Sequence, residues 1–362
     1  MYQQKLVAIA IVLVLFVSAT ILAQSGGSFT ITKSVIAGGG DLSNGGSFTL
    51  DATIGQSIAG TDSTGGGFVL SSGFWASSGA SPNPLGVLFD FDGDGKADVS
   101  VFRPSSGVWH LLRTQLGYVG VPFGQSGDLL TPADFDGDGK TDVAVFRPSI
   151  GTWYRLDSST GAFFFEQFGA NLDLPVPADF DGDGKADLAV FRPSVSTFYW
   201  KGSSNGLVTG VQFGVLGDKP TVGDFDGDGK ADVSLYRPSN GGWYRLNSSN
   251  GSFSGTAFGI AEDNPTPADY DGDGKTDVSV FRPSTGSWYR LNSSNGSFAG
   301  VAFGASGDKP VAADYDGDGK AEIAVFRSSI GYWYMLSSIN GAFSAQQFGT
   351  SEDLPTPNAF VY

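Results

Sequence analysis

The sequence predicts an all-β propeller of six four-stranded repeats, and three observations carry that prediction. An acidic nine-residue segment recurs six times in the 362-residue chain, starting at Asp90, Asp134, Asp179, Asp224, Asp269 and Asp314, at steps of 44, 45, 45, 45 and 45 residues. Every copy leads into a β-branched and aromatic run, such as Val278-Ser279-Val280-Phe281, that ends in Arg and in five of six cases Pro. The chain also holds 54 glycines and 13% aromatic residues, with little sustained helical periodicity, a texture of short strands and tight turns. A four-stranded unit repeated at about 40–50 residues is the signature of a propeller blade.

The fifth unit shows the expected elements in order. Pro267-Ala268 enters the acidic segment, and the proline forbids a helix there. Asp277 to Arg282 reads as a strand closed by Pro283, and Trp288 to Leu291 as the next strand. Asn295-Gly296 is a tight hairpin signal, and Phe298 to Gly304 a further strand. With the short run entering the acidic segment, each unit has four strands.

Outside the repeats the texture changes. Residues 1–23 read as a secretory signal peptide, with Lys5 before an apolar core from Leu6 to Leu22 and Ala23 before a cut at Gln24. No cysteine occurs, which excludes a disulfide framework, thiol chemistry and a lipid-anchored lipoprotein. Residues 24–80 form a small Gly/Ser-rich β module, with strands expected at Phe29–Thr32, Phe48–Asp51 and Phe68–Ser71, and Ser77 to Pro84 as the linker. The domain from residue 85 to 362 is the repeat array. Its tail, Leu354 to Tyr362, keeps the entering strand of a further unit while Ala359 stands where the next aspartate is due. Six repeat-encoded blades follow, with a composite seventh blade built from that tail and residues 26–76 as a possible closure.

Each acidic segment has carboxylates at positions 1, 3, 5 and 9 and glycine at position 6. A hard cation needs several oxygens at short range, and glycine lets the backbone turn so that the position 7 carbonyl faces inward. The expected calcium ligands are Asp90, Asp92, Asp94, the Lys96 carbonyl and Asp98 in the first loop, and Asp134, Asp136, Asp138, Lys140 and Asp142 in the second. They continue as Asp179, Asp181, Asp183, Lys185 and Asp187, then Asp224, Asp226, Asp228, Lys230 and Asp232. The last two sets are Asp269, Asp271, Asp273, Lys275 and Asp277, and Asp314, Asp316, Asp318, Lys320 and Glu322. About six ions per chain are expected. An EF-hand is rejected, because position 12 is an apolar strand residue such as Val101 or Val280 instead of a bidentate Glu. Four carboxylates within nine residues repel one another, a cost that a plain turn does not require.

Charge agrees with this reading. The loops hold 24 carboxylates and six lysines, more than the net charge of −16, so the rest of the chain is close to neutral. The acidity belongs to the loops, no basic stripe remains, and nucleic acid is not a partner.

These loops, the apolar strands after them, and a Phe-Gly pair in each unit resemble the FG-GAP or VCBS repeat family, whose blades form the propeller head of integrin α subunits. The pairs are Phe123-Gly124, Phe168-Gly169, Phe213-Gly214, Phe258-Gly259, Phe303-Gly304 and Phe348-Gly349, and the resemblance covers roughly residues 85–362. It implies calcium on the blade loops and extracellular binding or adhesion. Where the family name expects Gly-Ala-Pro, this chain has Phe-Arg-Pro, Tyr-Arg-Pro or, at the last repeat, Arg327-Ser328. No integrin-like inserted domain is present, so ligand specificity does not carry over.

Other recurring residues read first as blade structure. Arg103, Arg147, Arg192, Arg237, Arg282 and Arg327 could ring an anionic ligand, but a residue repeated in every blade more simply pairs with a neighbouring carboxylate or carbonyl. Trp109, Trp153, Trp243, Trp288 and Trp333 could stack on sugars, but blade packing buries large aromatics. His110, the one histidine, stands where other units have Tyr, which favours packing over catalysis. A serine nucleophile needs a base close by, and paired carboxylates for glycoside cleavage would have to come from the calcium loops. The expectation is therefore a secreted or cell-surface calcium-binding propeller, monomeric and non-catalytic, that serves as a binding or adhesion module for an extracellular protein or glycan. A lectin-like propeller and a calcium-dependent polysaccharide-active enzyme are the alternatives.

Overall fold

The computed structural model describes residues 87–362, and before them six short strands. Those six pair as three antiparallel hairpins: Ser25–Gly26 with Phe29–Thr30, Asp41–Gly45 with Phe48–Ala52, and Ser63–Gly65 with Phe68–Leu70. Each strand expected before residue 80 is thus the second arm of a hairpin whose first arm precedes it. The signal peptide at 1–23 and the linker from Ser77 to Pro84 lie outside the described residues. The chain divides into Met1–Gly79 and Ala80–Tyr362 as compact units.

The second unit is a six-bladed propeller of four-stranded antiparallel sheets. The second blade shows the plan: Leu129–Leu130 pairs with Val143–Arg147, which pairs with Thr152–Leu156, which pairs with Phe163–Gln167. Burial falls in the same order, from the fully buried Val145 and Phe146 to an outer strand that is largely exposed. This gradient explains the pattern along each strand. The second strand is buried on both faces and reads as a continuous apolar run, whereas the outer one has solvent on its flank.

Neighbouring sheets pack through aromatic residues. Trp109, Trp153, Trp243, Trp288 and Trp333 are at most 3% exposed. Each indole N–H donates to the carbonyl of the Phe in its own unit's Phe-Gly pair, at 2.8–3.0 Å. The tryptophans are therefore core, and truncating one to Ala would cost about 3–5 kcal/mol. In the third blade Phe198 takes this place and packs at a tilt against Phe191, with ring centroids 4.7 Å apart.

The six arginines are structural too. Each ends the second strand of its blade and forms a two-pronged ion pair with an aspartate that precedes the inner strand. The pairs are Arg147 with Asp128, Arg192 with Asp173, Arg237 with Asp218, Arg282 with Asp263, Arg327 with Asp308 and Arg103 with Asp353, at 2.7–3.0 Å. Five of the guanidinium groups also lie over a tyrosine ring, at 4.4–4.8 Å. In the first blade His110 holds the tyrosine position, stacks on Tyr118 and shares a 2.9 Å hydrogen bond with its hydroxyl.

Ring closure corrects the sequence reading. Leu354–Pro355 pairs with Val99–Arg103, so the tail supplies the inner strand of the first blade. The short run entering the first acidic segment forms no strand over its described part, residues 87–89, and no composite seventh blade arises among the described residues. Beyond this strand the tail crosses the centre. Asn358 donates to the Pro310 carbonyl at 3.0 Å, and the Tyr362 hydroxyl donates to the Pro175 carbonyl. Those prolines lie on the inner strands of the sixth and third blades, on opposite sides of the ring.

Candidate metal centre

In five blades the acidic segment links the inner strand to the second strand, and in the first blade it leads into the second strand from outside the sheet, so all six lie at one end of the blades and the Arg–Asp pairs at the other. In the first loop Asp90 organises the turn. One of its carboxylate oxygens accepts from Asp92 and Gly93 N–H, at 3.1 and 2.6 Å, and the other from Gly95 N–H at 2.8 Å. Both glycines are left-handed, with φ of 81° and 83°. That conformation strains any residue with a Cβ, which is why positions 4 and 6 are glycine in every copy. The same two bonds, from the amides of positions 4 and 6 to the position 1 carboxylate, recur in the other five loops.

Position 9 is buried at the base. Asp98 is 0% exposed; one oxygen accepts from Phe91 N–H and the other from Thr114 N–H, both at 2.8 Å. Burial pushes its pKa up to about 6, as it does for Asp187, and to about 7 for Asp142 and Glu322. Asp232 and Asp277 are raised by the same cause. The position 1 aspartates are likewise raised by burial. Without a cation these sites hold ionised carboxylates at a cost, since burial disfavours the charged form.

The turn after the third strand supplies donors that sequence reasoning did not foresee. In the fifth blade it is not a two-residue Asn-Gly turn. Asn292 and Ser297 close a longer loop, and Ser293 and Ser294 inside it reach back to the acidic segment. Ser293 N–H donates to Asp277 at 2.6 Å, and its hydroxyl to Asp273 at 2.8 Å. The Ser294 hydroxyl donates to Asp271 at 2.6 Å. Ser158 and Ser159 bind the second loop in the same way, Ser248 and Ser249 the fourth. The signal was present in the sequence, because Ser-Ser pairs recur at 45-residue spacing at 158, 203, 248 and 293.

The structure brings together most of the expected ligands, though not the same subset in every loop. Carboxylate oxygens of Asp90, Asp92 and Asp94 lie within 4.8 Å of one another, as do those of Asp314, Asp316, Asp318 and Glu322. In the second, third and fourth loops positions 1, 3 and 9 meet: Asp134, Asp136 and Asp142; Asp179, Asp181 and Asp187; Asp224, Asp226 and Asp232. In all six loops the position 5 carboxylate also accepts from the position 7 amide, at 2.9–3.0 Å.

One atom tests whether a cation fits. Position 3 carboxylates hold the serine turn, or in the first blade Gln115 and Leu116 N–H, with one oxygen only. The other oxygen of Asp92, Asp181, Asp271 and Asp316 is buried without a hydrogen-bond partner. A buried, orphaned carboxylate oxygen is costly unless a positive partner meets it. An all-oxygen donor set of this kind suits calcium or another hard divalent cation.

Comparison with known proteins identifies the repeats. A family model described as FG-GAP-like repeat matches residues 90–145, 134–190, 179–235, 224–280 and 269–325. The chain belongs to the FG-GAP-like repeat family. No curated protein matches it. Among solved structures, a streptogramin B lyase is 11% identical, over 76% of this chain and 86% of that one, with a TM-score of 0.47. A catalytically inactive virginiamycin B lyase from Staphylococcus aureus is 9% identical, over 74% and 94%, with a TM-score of 0.47. An Agrocybe aegerita lectin specific for terminal N-acetylglucosamine is 18% identical, over 73% and 78%, with a TM-score of 0.48. No helix among the described residues is long and apolar enough to cross a membrane.

Proposed function

We propose that this FG-GAP-like propeller is exported, carries calcium on its six loops, and acts as a non-catalytic binding or adhesion module for an extracellular protein or glycan. The orphaned position 3 oxygens of Asp92, Asp181, Asp271 and Asp316 carry the calcium reading, since a buried carboxylate oxygen without a donor calls for a positive partner. Positions 1 and 3 would hold the ion in each loop, with position 9, position 5 or both and the position 7 carbonyl completing the set. The ion offsets most of the loop's negative charge and stiffens it as a platform. Export supplies the millimolar calcium at which extracellular modules of this type load.

A glycan is favoured as ligand by one feature of the outer strands. Tyr118, Phe163, Phe253, Phe298 and Phe343 stand at the same position of five blades, each 56–63% exposed. Exposed rings offer faces to sugars, a role that the buried tryptophans cannot fill. A screen of glycans and matrix proteins, run with calcium and with chelator, tests the reading. Calcium-dependent binding of one ligand class is expected, and no binding in either condition, or turnover of a polysaccharide, contradicts it.

A further inference from the structure

The six loops also touch one another, and they do so in a closed circle. The N–H of position 8 donates to the position 1 carbonyl of the loop in the preceding blade: Thr141 to Asp90, Ala186 to Asp134, Ala231 to Asp179, Thr276 to Asp224 and Ala321 to Asp269, all at 2.6–2.7 Å. Ala97 donates to Asp314 at 2.6 Å and joins the first loop to the last. The position 7 lysine lies along the same contact. Lys275 covers Gly227 so closely that a Cβ there would sit 2.7 Å from its Cε, and Lys230 donates to the Asp181 carbonyl at 2.9 Å.

We propose that the loops take up their cations as one coupled ring, each loop being held in its binding shape by the loop of the next blade. This rests on the reading that the loops bind calcium. The physical link is a single peptide group. The amide that reaches back to the preceding loop, for instance Thr276 N–H, shares its peptide with the Lys275 carbonyl. The peptide is trans, so that carbonyl points away from the preceding loop, on the side where the position 7 carbonyl is expected to meet an ion. A cation on the carbonyl fixes the peptide plane and polarises the N–H, and the N–H holds the Asp224 carbonyl, in the residue whose carboxylate organises the preceding site. Occupancy of one loop therefore favours occupancy of the one before it. Because a coupling free energy is reciprocal, the effect runs both ways around the circle.

The test is a calcium titration of the full chain by NMR, reading the glycine amides of each loop, with Asp273→Asn as the variant. The Asp273 carboxylate bonds only Lys275 N–H and the Ser293 hydroxyl, within its own blade. Its loss should weaken the fifth site and raise the calcium midpoints of the adjoining loops, 224–232 and 314–322, about fivefold. The loop at 134–142, across the ring, should not move. Bare repulsion between neighbouring ions predicts the opposite sign, so unchanged or lower midpoints next door overturn the coupling. Equilibrium dialysis of the unaltered chain gives a second readout that does not depend on the variant folding. A Hill coefficient clearly above one is expected, and a value of one or less overturns the proposal. If the unaltered loops titrate independently, only the coupling fails; if none responds to calcium, the calcium reading fails with it.

Discussion

At one end of each blade an aspartate meets an arginine, and at the other three or four carboxylates meet only amides and hydroxyls. The Asp128 side chain is 0% exposed, and both of its oxygens are taken by Arg147 at 2.7 and 2.9 Å. Asp92 is almost as buried, yet one of its oxygens has two backbone donors and the other has none. Burial of a carboxylate is equally costly in both places. The arginine end carries its counter-charge in the chain, whereas the loop end leaves it to an ion. The difference shows where the protein is complete by itself and where its stability depends on the medium.

Removing the ion should separate the two ends most strongly. At a hundredfold excess over its dissociation constant, each calcium contributes about 2.7 kcal/mol if only the folded state binds. Chelation should therefore lower the melting temperature by many degrees, with hydrogen exchange rising first in the loops and leaving the arginine end protected. An unmoved melting curve would mean that the loops are plain turns. Next in size is Arg147→Met, which strands a buried aspartate and should cost about 3 kcal/mol in denaturant melts. That loss should be the same in calcium and in chelator; a loss seen only in chelator would show that the ends are not independent.

The ends should also answer oppositely to pH. At the loop end the folded pKa values of Asp98, Asp142, Asp187 and Glu322 stand at about 6 to 7, above their unfolded values. Their contribution in chelator is present in acid and is lost as pH rises through that range. At the arginine end burial raises Asp353, but its hydrogen bonds from Arg103 and Thr350 N–H outweigh it and hold the carboxyl below its usual range. Its contribution is present above the unfolded pKa and is lost as pH falls through the lower, folded one. Melting temperatures of chelated protein from pH 4 to 8 should fall, and calcium should abolish the fall. A chelated protein that gains stability over this range would contradict the assignment. The smallest effect is expected from Ser294→Ala, which removes one donor from Asp271 and should weaken calcium binding a few-fold, about 1 kcal/mol or less. A larger loss would give the serine turn more than a supporting part.

The blade period and the loops were legible because they are local: nine residues specify the turn, and each step of 45 restates it. What the sequence did not disclose depends on residues far apart. Leu354 pairs with Phe102 across the whole propeller, and nothing near either residue names the other. The tail was seen to keep an entering strand, but a unit defined by its loop places the blade boundary elsewhere than the hydrogen bonds do. The aspartates of the ion pairs recur 19 residues before their arginines in five blades, yet they lie in a Gly-rich turn that reads as solvent-exposed. Taken singly, the serine turns gave no signal of their own, because Ser and Asn are common in turns anyway. The circle of loop contacts was invisible, since its donors and acceptors are backbone atoms.

A loop end that draws its counter-charge from bound calcium can be checked by counting the ions. Equilibrium dialysis or calorimetry on the folded chain at neutral pH should find about six calcium ions per molecule, released together with the stability they confer when chelator is added. One ion or none per molecule, with the fold intact, would contradict it.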